Sequence, residues 1–249
     1  MTSKTPCSED LAGCLVVCLL AGDEAAVEQT LRAAFLRGLS LPLASRDLIC
    51  PALDEIGEMW LRGEVSVVEE HLATSLVTRV LRRITAAIPS PPPGAPRLVL
   101  GCLAGEYHEL GVKIVADVAR EAGWAVEPLG ANVPCDALVA FVSQRAPDAL
   151  GLSVGLSAHV VPCRDVIVRL RAALPRLKIL VGGLAFRRDP ALRALVGADA
   201  CLSDVVALRA WLERERDALP EHGAAPPAVP STLPVELRNR VHRSARGRR

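Results

Sequence analysis

Residues 89–96 run Pro89-Ser90-Pro91-Pro92-Pro93-Gly94-Ala95-Pro96, five prolines in eight positions. Each proline fixes φ and lacks an N–H, so neither a helix nor a central strand continues through such a run. The segment reads as a semi-rigid linker. It also divides the chain by pattern, with helical spacing before it and short apolar runs alternating with helical stretches after it.

On the N-terminal side, apolar side chains recur at helical spacing over 9–37 with a break at Gly22-Asp23. Two helices are expected, over 9–21 and 23–37, with Asp23 as an N-cap and Gly38 closing the second. A third, over 45–60, puts Leu48, Ile49, Leu53, Ile56 and Trp60 on one face. Pro51 falls in its first turn or kinks it. Ser66 and Glu69 have capping-box spacing for a fourth helix running to Ile88. Four helices with short connections make a small bundle over 9–88.

After the linker, strands are expected over 98–103, 125–129, 149–153, 178–181 and 200–202. Helical stretches near 111–122, 135–145, 160–173, 188–196 and 204–216 lie between and after them. Such alternation calls for a parallel sheet covered on both faces. The fold class is therefore α/β: an N-terminal four-helix bundle cap, then a Rossmann-like (flavodoxin-like), doubly wound, parallel five-stranded sheet over 97–216. Trp124 and Phe141 are assigned to its core. Residues 217–249 turn to proline, alanine and arginine and are expected to be a disordered Arg-rich tail.

Composition narrows the function classes. Apolar residues make up 51% and charged residues 23%, the balance of a globular chain, and the net charge of +1 gives no overall field for nucleic acid or membrane. The tail is uneven, since 238–249 holds six arginines and no acid. It is either a solvated terminus or a weak DNA or acidic-partner contact. Eight cysteines form no C-x-x-C pair, and most sit in apolar runs, which suits buried free thiols in a reducing cytoplasm. The apolar run 11–21 is too short to span a bilayer, and the acidic Glu9-Asp10 before it does not suit a signal peptide.

Three features fall at the carboxyl ends of expected strands, where ligands bind in an open α/β sheet. His108, within Gly105-Glu106-Tyr107-His108-Glu109-Leu110-Gly111, follows the first strand, and Gly111 is placed to ease the turn into the helix. Ser153-Val154-Gly155 ends the third strand, and Gly182-Gly183 ends the fourth. An imidazole, a hydroxyl donor and glycines admitting a large planar or nucleotide-like group would converge on one rim. No phosphate-binding glycine fingerprint follows the first strand, which argues against a dinucleotide enzyme.

Together these residues resemble the cobalamin-binding Rossmann-like domain of methionine synthase and corrinoid proteins. That family's pattern is D-x-H-x-x-G, about 41 residues, S-x-L, then 26 to 28 residues and G-G. Here Glu106 to Gly111 is followed by 41 residues, Ser153 to Gly155, 26 residues and Gly182-Gly183. The resemblance, over about 97–213, implies that His108 is the lower axial ligand of cobalt. The displaced dimethylbenzimidazole tail would then thread beside Ser153, Gly182 and Gly183. Imidazole suits a late first-row metal, and Glu106 is placed to accept the other ring N–H. Glu in place of Asp at 106 lengthens that reach, and Gly155 in place of leucine is expected to loosen the pocket wall.

The bundle is similar to the helical cap that accompanies this domain. Trp60, nine residues, then Glu70-His71 matches the W-x9-EH pattern of CarH-type photoreceptors, which sense light through adenosylcobalamin; E-x-H-x-x-G is shared with that group. The resemblance implies that Trp60 packs on the upper ligand, with Glu70 and His71 lining the same cavity. Without it, Trp60 reads as a core aromatic, and Glu70 and His71 as a solvated helix face. Leu61 stands where the photoreceptors carry a second ligating histidine. The chain also looks like the short AerR-type antirepressors, which bind cobalamin and act on a partner transcription factor.

The implied function is a cytoplasmic sensor, not an enzyme, that binds adenosylcobalamin or hydroxocobalamin and regulates transcription through a partner transcription factor, with homo-oligomer formation left open. The alternatives are a corrinoid protein shuttling methyl groups for a methyltransferase and a haem or other tetrapyrrole sensor using His108. His159, just beyond the third strand, is expected on the surface or in a loop, with the pocket rim as the alternative.

Overall fold

A computed structural model describes residues 11–202 and 204–219. Glu9, Asp10 and the arginine-rich tail, with the disorder and DNA contact considered for it, lie outside the described residues.

The bundle begins with α1 (Leu11–Leu20) and α2 (Glu24–Leu36). Between them Gly22 sits at φ +66°, and the Asp23 carboxylate accepts the Ala26 N–H at 3.0 Å, as expected of an N-cap. The third helix starts earlier than its periodicity suggests. It runs as α3 (Leu41–Ala44), a π-helical turn (Ser45–Ile49) and α4 (Cys50–Leu61). Pro51 explains the wide turn: it has no N–H to donate, and one residue earlier Cys50 reaches back five residues to the Ser45 carbonyl. Gly63, at φ +73°, turns the chain toward α5 (Val67–Ile84). The capping box is present: Ser66 Oγ accepts the Glu69 N–H at 3.2 Å, and Glu69 Oε2 accepts the Ser66 N–H at 2.6 Å.

Beyond the linker, β1 (Arg97–Cys102), β2 (Ala125–Pro128), β3 (Ala149–Ser153), β4 (Lys178–Gly182) and β5 (Ala200–Cys201) form one sheet. Its order is β2-β1-β3-β4-β5 with every pairing parallel. The order reverses between β1 and β3, which opens a crevice at their carboxyl ends. The helices are α6 (Leu110–Glu121), α7 (Cys135–Arg145), α8 (Val160–Ala173), α9 (Leu184–Arg188) and α10 (Val205–Ala218). The helix expected over 188–196 is corrected to α9 plus a separate 3-10 segment, Pro190–Leu195. Pro190 stops α9, and the Asp189 carboxylate caps the new start by accepting the Ala191 N–H at 3.0 Å. Helix α10 continues two residues past 216, into the segment assigned to the tail.

The pleat of β1 sends Leu98 and Leu100 to one face and Val99 to the other, into two separate cores. On one face, Leu98 and Leu100 join α6, α10 and the bundle in a single apolar cluster that includes Leu31, Ile56, Leu76, Trp124, Leu208 and Trp211. The Trp124 indole N–H is satisfied there by the Leu212 carbonyl at 3.0 Å. On the opposite face, Val99, Leu150 and Ile179 pack with α7, α8 and Phe186 of α9. Phe141 is only half-buried, with the Arg145 guanidinium 5.3 Å from its ring centroid, so it borders this core rather than filling it. The linker therefore separates two sequence patterns but not two cores.

Candidate functional site

The strand register places Cys102, Ser153 and Gly182 side by side in one row at the carboxyl edge of the sheet. The loop leaving this row after β1 is pinned from below. Leu103 bridges to Val133, the Gly105 N–H donates to Asn132 Oδ1 at 2.9 Å, and the Asn132 N–H donates to the Glu106 carbonyl at 2.9 Å. Gly105, at φ +84°, makes the turn. The role expected of Gly111 is therefore corrected. It is exposed within the first turn of α6, and a Cβ there would meet nothing within 4 Å.

That pinned loop buries the Glu106 side chain completely while leaving the His108 side chain 74% exposed. Oε1 of Glu106 accepts the His108 N–H at 3.0 Å and lies 2.5 Å from His108 Nδ1. Oε2 accepts the Gly155 N–H at 2.7 Å and lies 3.2 Å from His159 Nδ1. Burial pushes the carboxyl pKa up, but these hydrogen bonds outweigh it and hold Glu106 below the ordinary carboxylate range. Because an ionised carboxylate only accepts, the hydrogen of His108 belongs on Nδ1, leaving the Nε2 lone pair free for a metal. Beneath the loop, the Cys102 thiol contacts the His108 carbonyl at 3.7 Å and the Ser153 hydroxyl. Burial, with the charges of Glu106 and Glu109, pushes that thiol up to about 12, so it stays protonated near neutral pH.

One expectation about the glycines is corrected, and a further constraint appears on two others. Gly155 does not loosen a pocket wall: a Cβ there would lie 2.7 Å from Glu106 Oε2, so the longer acid occupies the space the missing side chain leaves. Gly182 and Gly183 are required by the protein's own backbone. A Cβ on Gly182 would sit 2.6 Å from the Leu202 carbonyl, and one on Gly183, at φ +118°, would collide with the backbone of Val154. Both glycines stay partly exposed beside Ser153, on the rim that bears His108.

The cap residues form a second group. Trp60 is 46% exposed rather than a core aromatic, with Leu61, Val67, Val68 and Leu72 also exposed nearby in the sequence. Glu70 on α5 lies 2.5 Å from His71 Nδ1 and accepts from the Thr74 hydroxyl at 3.0 Å. Among the described residues no hydrogen bond or ion pair joins this group to His108. Tyr107 is 68% exposed beside His108 and contributes a rim surface. The cap meets the sheet domain at a cleft of about 430 Å³ lined by Asp54, Glu58, Leu184, Arg187 and Arg188. There Arg187 pairs with Asp54 at 2.8 Å and Arg188 with Glu58 at 3.3 Å.

His159, expected on the surface or in a loop and not among the site residues, is corrected: it turns inward at the rim. Its side chain is 15% exposed and faces the same carboxylate as His108. The one signal available was its place six residues past Ser153, on the loop that follows β3.

With this geometry established, known proteins sharpen the picture. Residues 96–207 match the B12 binding domain family, and residues 14–85 match a second family of that description. The HTH-type transcriptional repressor CarH of Myxococcus xanthus is 37% identical over 153 residues, 60% of this chain and 50% of that protein. The chain thus spans about half the length of that relative. Dimethylamine corrinoid protein 1 of Methanosarcina acetivorans is 25% identical over 186 residues, 73% of this chain and 84% of that protein. The structure of the Methanosarcina barkeri monomethylamine corrinoid protein superposes with a TM-score of 0.68 at 14% identity, covering 84% of this chain and 99% of that one. That likeness confirms the expected helical domain followed by a parallel α/β sheet.

Proposed function

Starting from a chain built of a helical and an α/β B12-binding domain, we propose that it is a cobalamin-binding sensor, not an enzyme, that regulates transcription through a partner transcription factor in the cytoplasm. The observation that carries the reading is His108. Its imidazole projects from the carboxyl rim with Nδ1 tied to a buried carboxylate and, among the described residues, no partner on Nε2. Among the described residues no cluster of three or more His, Cys, Asp or Glu side chains is arranged to hold a metal. A single imidazole suits a metal whose other positions are filled by a macrocycle. Bound cobalamin would supply a cobalt centre whose coordination responds to light or to cofactor supply. The protein's own residues would do the rest: His108 binds, Glu106 orients it, and Ser153, Gly182 and Gly183 offer a rim for the cofactor's tail.

In this reading Trp60, Glu70 and His71 would be the cap's contacts to the cofactor, so a change in cobalt coordination would alter how the cap packs and what the partner meets. No described helix is long and apolar enough to cross a membrane. A second reading, a corrinoid protein carrying methyl groups for a methyltransferase, is favoured by the exposure of Trp60 and by Leu61, which supplies no second imidazole.

The test is an absorption spectrum. The protein is loaded with adenosylcobalamin in the dark, and separately with hydroxocobalamin, before and after green light, alongside His108→Ala and Trp60→Ala. The sensor reading expects a bound adenosyl spectrum that photolyses with a change in size-exclusion volume, or selective uptake of hydroxocobalamin. His108→Ala should abolish imidazole coordination in either case. Stable binding of methylcobalamin in a third loading, with no light-dependent change in size-exclusion volume and no effect of Trp60→Ala, would favour the carrier instead.

A further inference from the structure

We propose that Asn132 is a positioning residue of this site: from the β2–α7 loop it holds the β1–α6 loop in the one backbone conformation that presents His108 to a metal. The proposal rests on His108 as the lower ligand and extends that reading to a loop that the three-part motif leaves out.

The argument begins with the strands. Past the end of β2, the Cys102 N–H donates to the Gly130 carbonyl at 2.9 Å, and the Cys102 carbonyl accepts the Val133 N–H at 2.9 Å. Gly130 and Val133 thus flank one residue of β1, and Ala131 and Asn132 between them are extra. Extra residues on one side of a ladder bulge outward and re-aim their side chains. This bulge brings Asn132 within hydrogen-bonding reach of Gly105 and Glu106. Asn132 sits at φ +54°, a left-handed conformation that asparagine tolerates better than most residues. Ala146, the other non-glycine residue at positive φ among the described residues, closes α7, where that conformation is ordinary. Asn132 closes no helix, so its backbone strain is held by what it bonds.

What Asn132 bonds is a peptide that could otherwise turn over. Leu103 to Glu106 form a tight turn, closed by the Glu106 N–H on the Leu103 carbonyl at 2.9 Å. Gly105 is at φ +84° and Ala104 is not at positive φ, the signature of a type II turn. Turning over the Ala104–Gly105 peptide would give the commoner type I form. Asn132 Oδ1 accepts the Gly105 N–H at 2.9 Å and so fixes that peptide. The Asn132 N–H donates to the Glu106 carbonyl at 2.9 Å and fixes the peptide between Glu106 and Tyr107. One residue therefore sets two peptide planes between β1 and His108. The His108 side chain is 74% exposed, so little packing directs it, and the aim of Nε2 follows the backbone that carries Glu106 and His108. The bond to Gly105 is itself exposed, where water can replace it, so its contribution is direction more than stability.

The test reads coordination directly. Protein isotopically labelled in its histidine nitrogens is loaded with hydroxocobalamin, reduced to cobalt(II) and examined by electron paramagnetic resonance. A labelled imidazole splits the cobalt lines differently from the cofactor's own unlabelled base. Asn132→Gly keeps the left-handed backbone and its N–H and removes only the side-chain acceptor. It should lower the ratio of imidazole-bound to imidazole-free cobalt about tenfold, the lower end of what loss of an outer partner costs a metal site. Asn132→Asp, which keeps an acceptor on a residue that tolerates the same φ, should recover most of that loss. Coordination in Asn132→Gly equal to the parent, or a loss that Asn132→Asp fails to recover, overturns the proposal. A parent protein that takes up no cobalamin, or whose imidazole signal survives His108→Ala, sinks the ligand assignment instead. The hold of Asn132 on the loop is then decided on unloaded protein by amide hydrogen exchange. The Gly105 N–H should exchange about tenfold faster in Asn132→Gly than in the parent and slow again in Asn132→Asp, and an unchanged rate refutes the hold.

Discussion

Replacing Gly155 with alanine should displace the carboxylate that orients His108. The new Cβ would stand 2.7 Å from Glu106 Oε2 and 3.1 Å from Cδ and Oε1, so the carboxylate must retreat by roughly 0.7 Å to reach ordinary contact at 3.4 Å. A free glutamate would simply move. This one is buried and held from both sides, so the retreat breaks the 2.7 Å bond from Gly155 and strains the pair with His108. Losing one hydrogen bond to a buried charge costs about 2 kcal/mol. Glu106→Asp alone should cost a similar amount for the opposite reason, because its carboxylate withdraws by ~1.5 Å, one carbon–carbon bond. Combined, the shorter acid vacates the space that the methyl fills. The double variant should be more stable than the sum of the singles by at least ~1 kcal/mol. Urea unfolding of the four proteins measures the cycle. Effects that add to within about 0.5 kcal/mol would show that Gly155 and Glu106 are independent and that the steric reasoning is wrong.

Three further outcomes follow from the same structure. Ser66→Ala removes the hydroxyl that caps the helix bearing Glu70 and His71, and thermal unfolding should register a loss of about 1 kcal/mol. Gly183→Ala should destabilise the unloaded protein, by about 1–3 kcal/mol from backbone strain at φ +118° before any clash with Val154 is counted; unchanged unloaded stability would mean that the glycine serves the ligand alone. Stability should also fall in acid. Glu106 has a carboxyl pKa held below its ordinary 4.5, so its contribution is complete above that pH and is lost as pH drops through the lower folded value. Glu106→Gln should be less stable at neutral pH and show a shallower acid limb.

What was legible in the sequence was legible because it is local or periodic. The strand–helix alternation carries the sheet, and the capping residues at Asp23 and Ser66 mark helix starts within a turn of where they lie. The row of Cys102, Ser153 and Gly182 follows from parallel strands of similar length ending together. Features depending on partners distant in sequence were hidden. Nothing in a proline-rich linker shows that Trp211 of α10 and Ile56 of α4 belong to one apolar cluster. Nothing in a glycine shows whether it faces a ligand or, like Gly182, the carbonyl of Leu202. The two departures from the family pattern illustrate the limit best. Taken singly, Glu106 looks like an overlong acid and Gly155 like a missing wall. In space the first fills the second, and His159 takes the oxygen left over. One substitution makes room for the other, so the unit under physical constraint is the set of residues around the carboxylate rather than any one position. A site of this kind is better recognised by asking which donors a buried charge would need than by matching each position in turn.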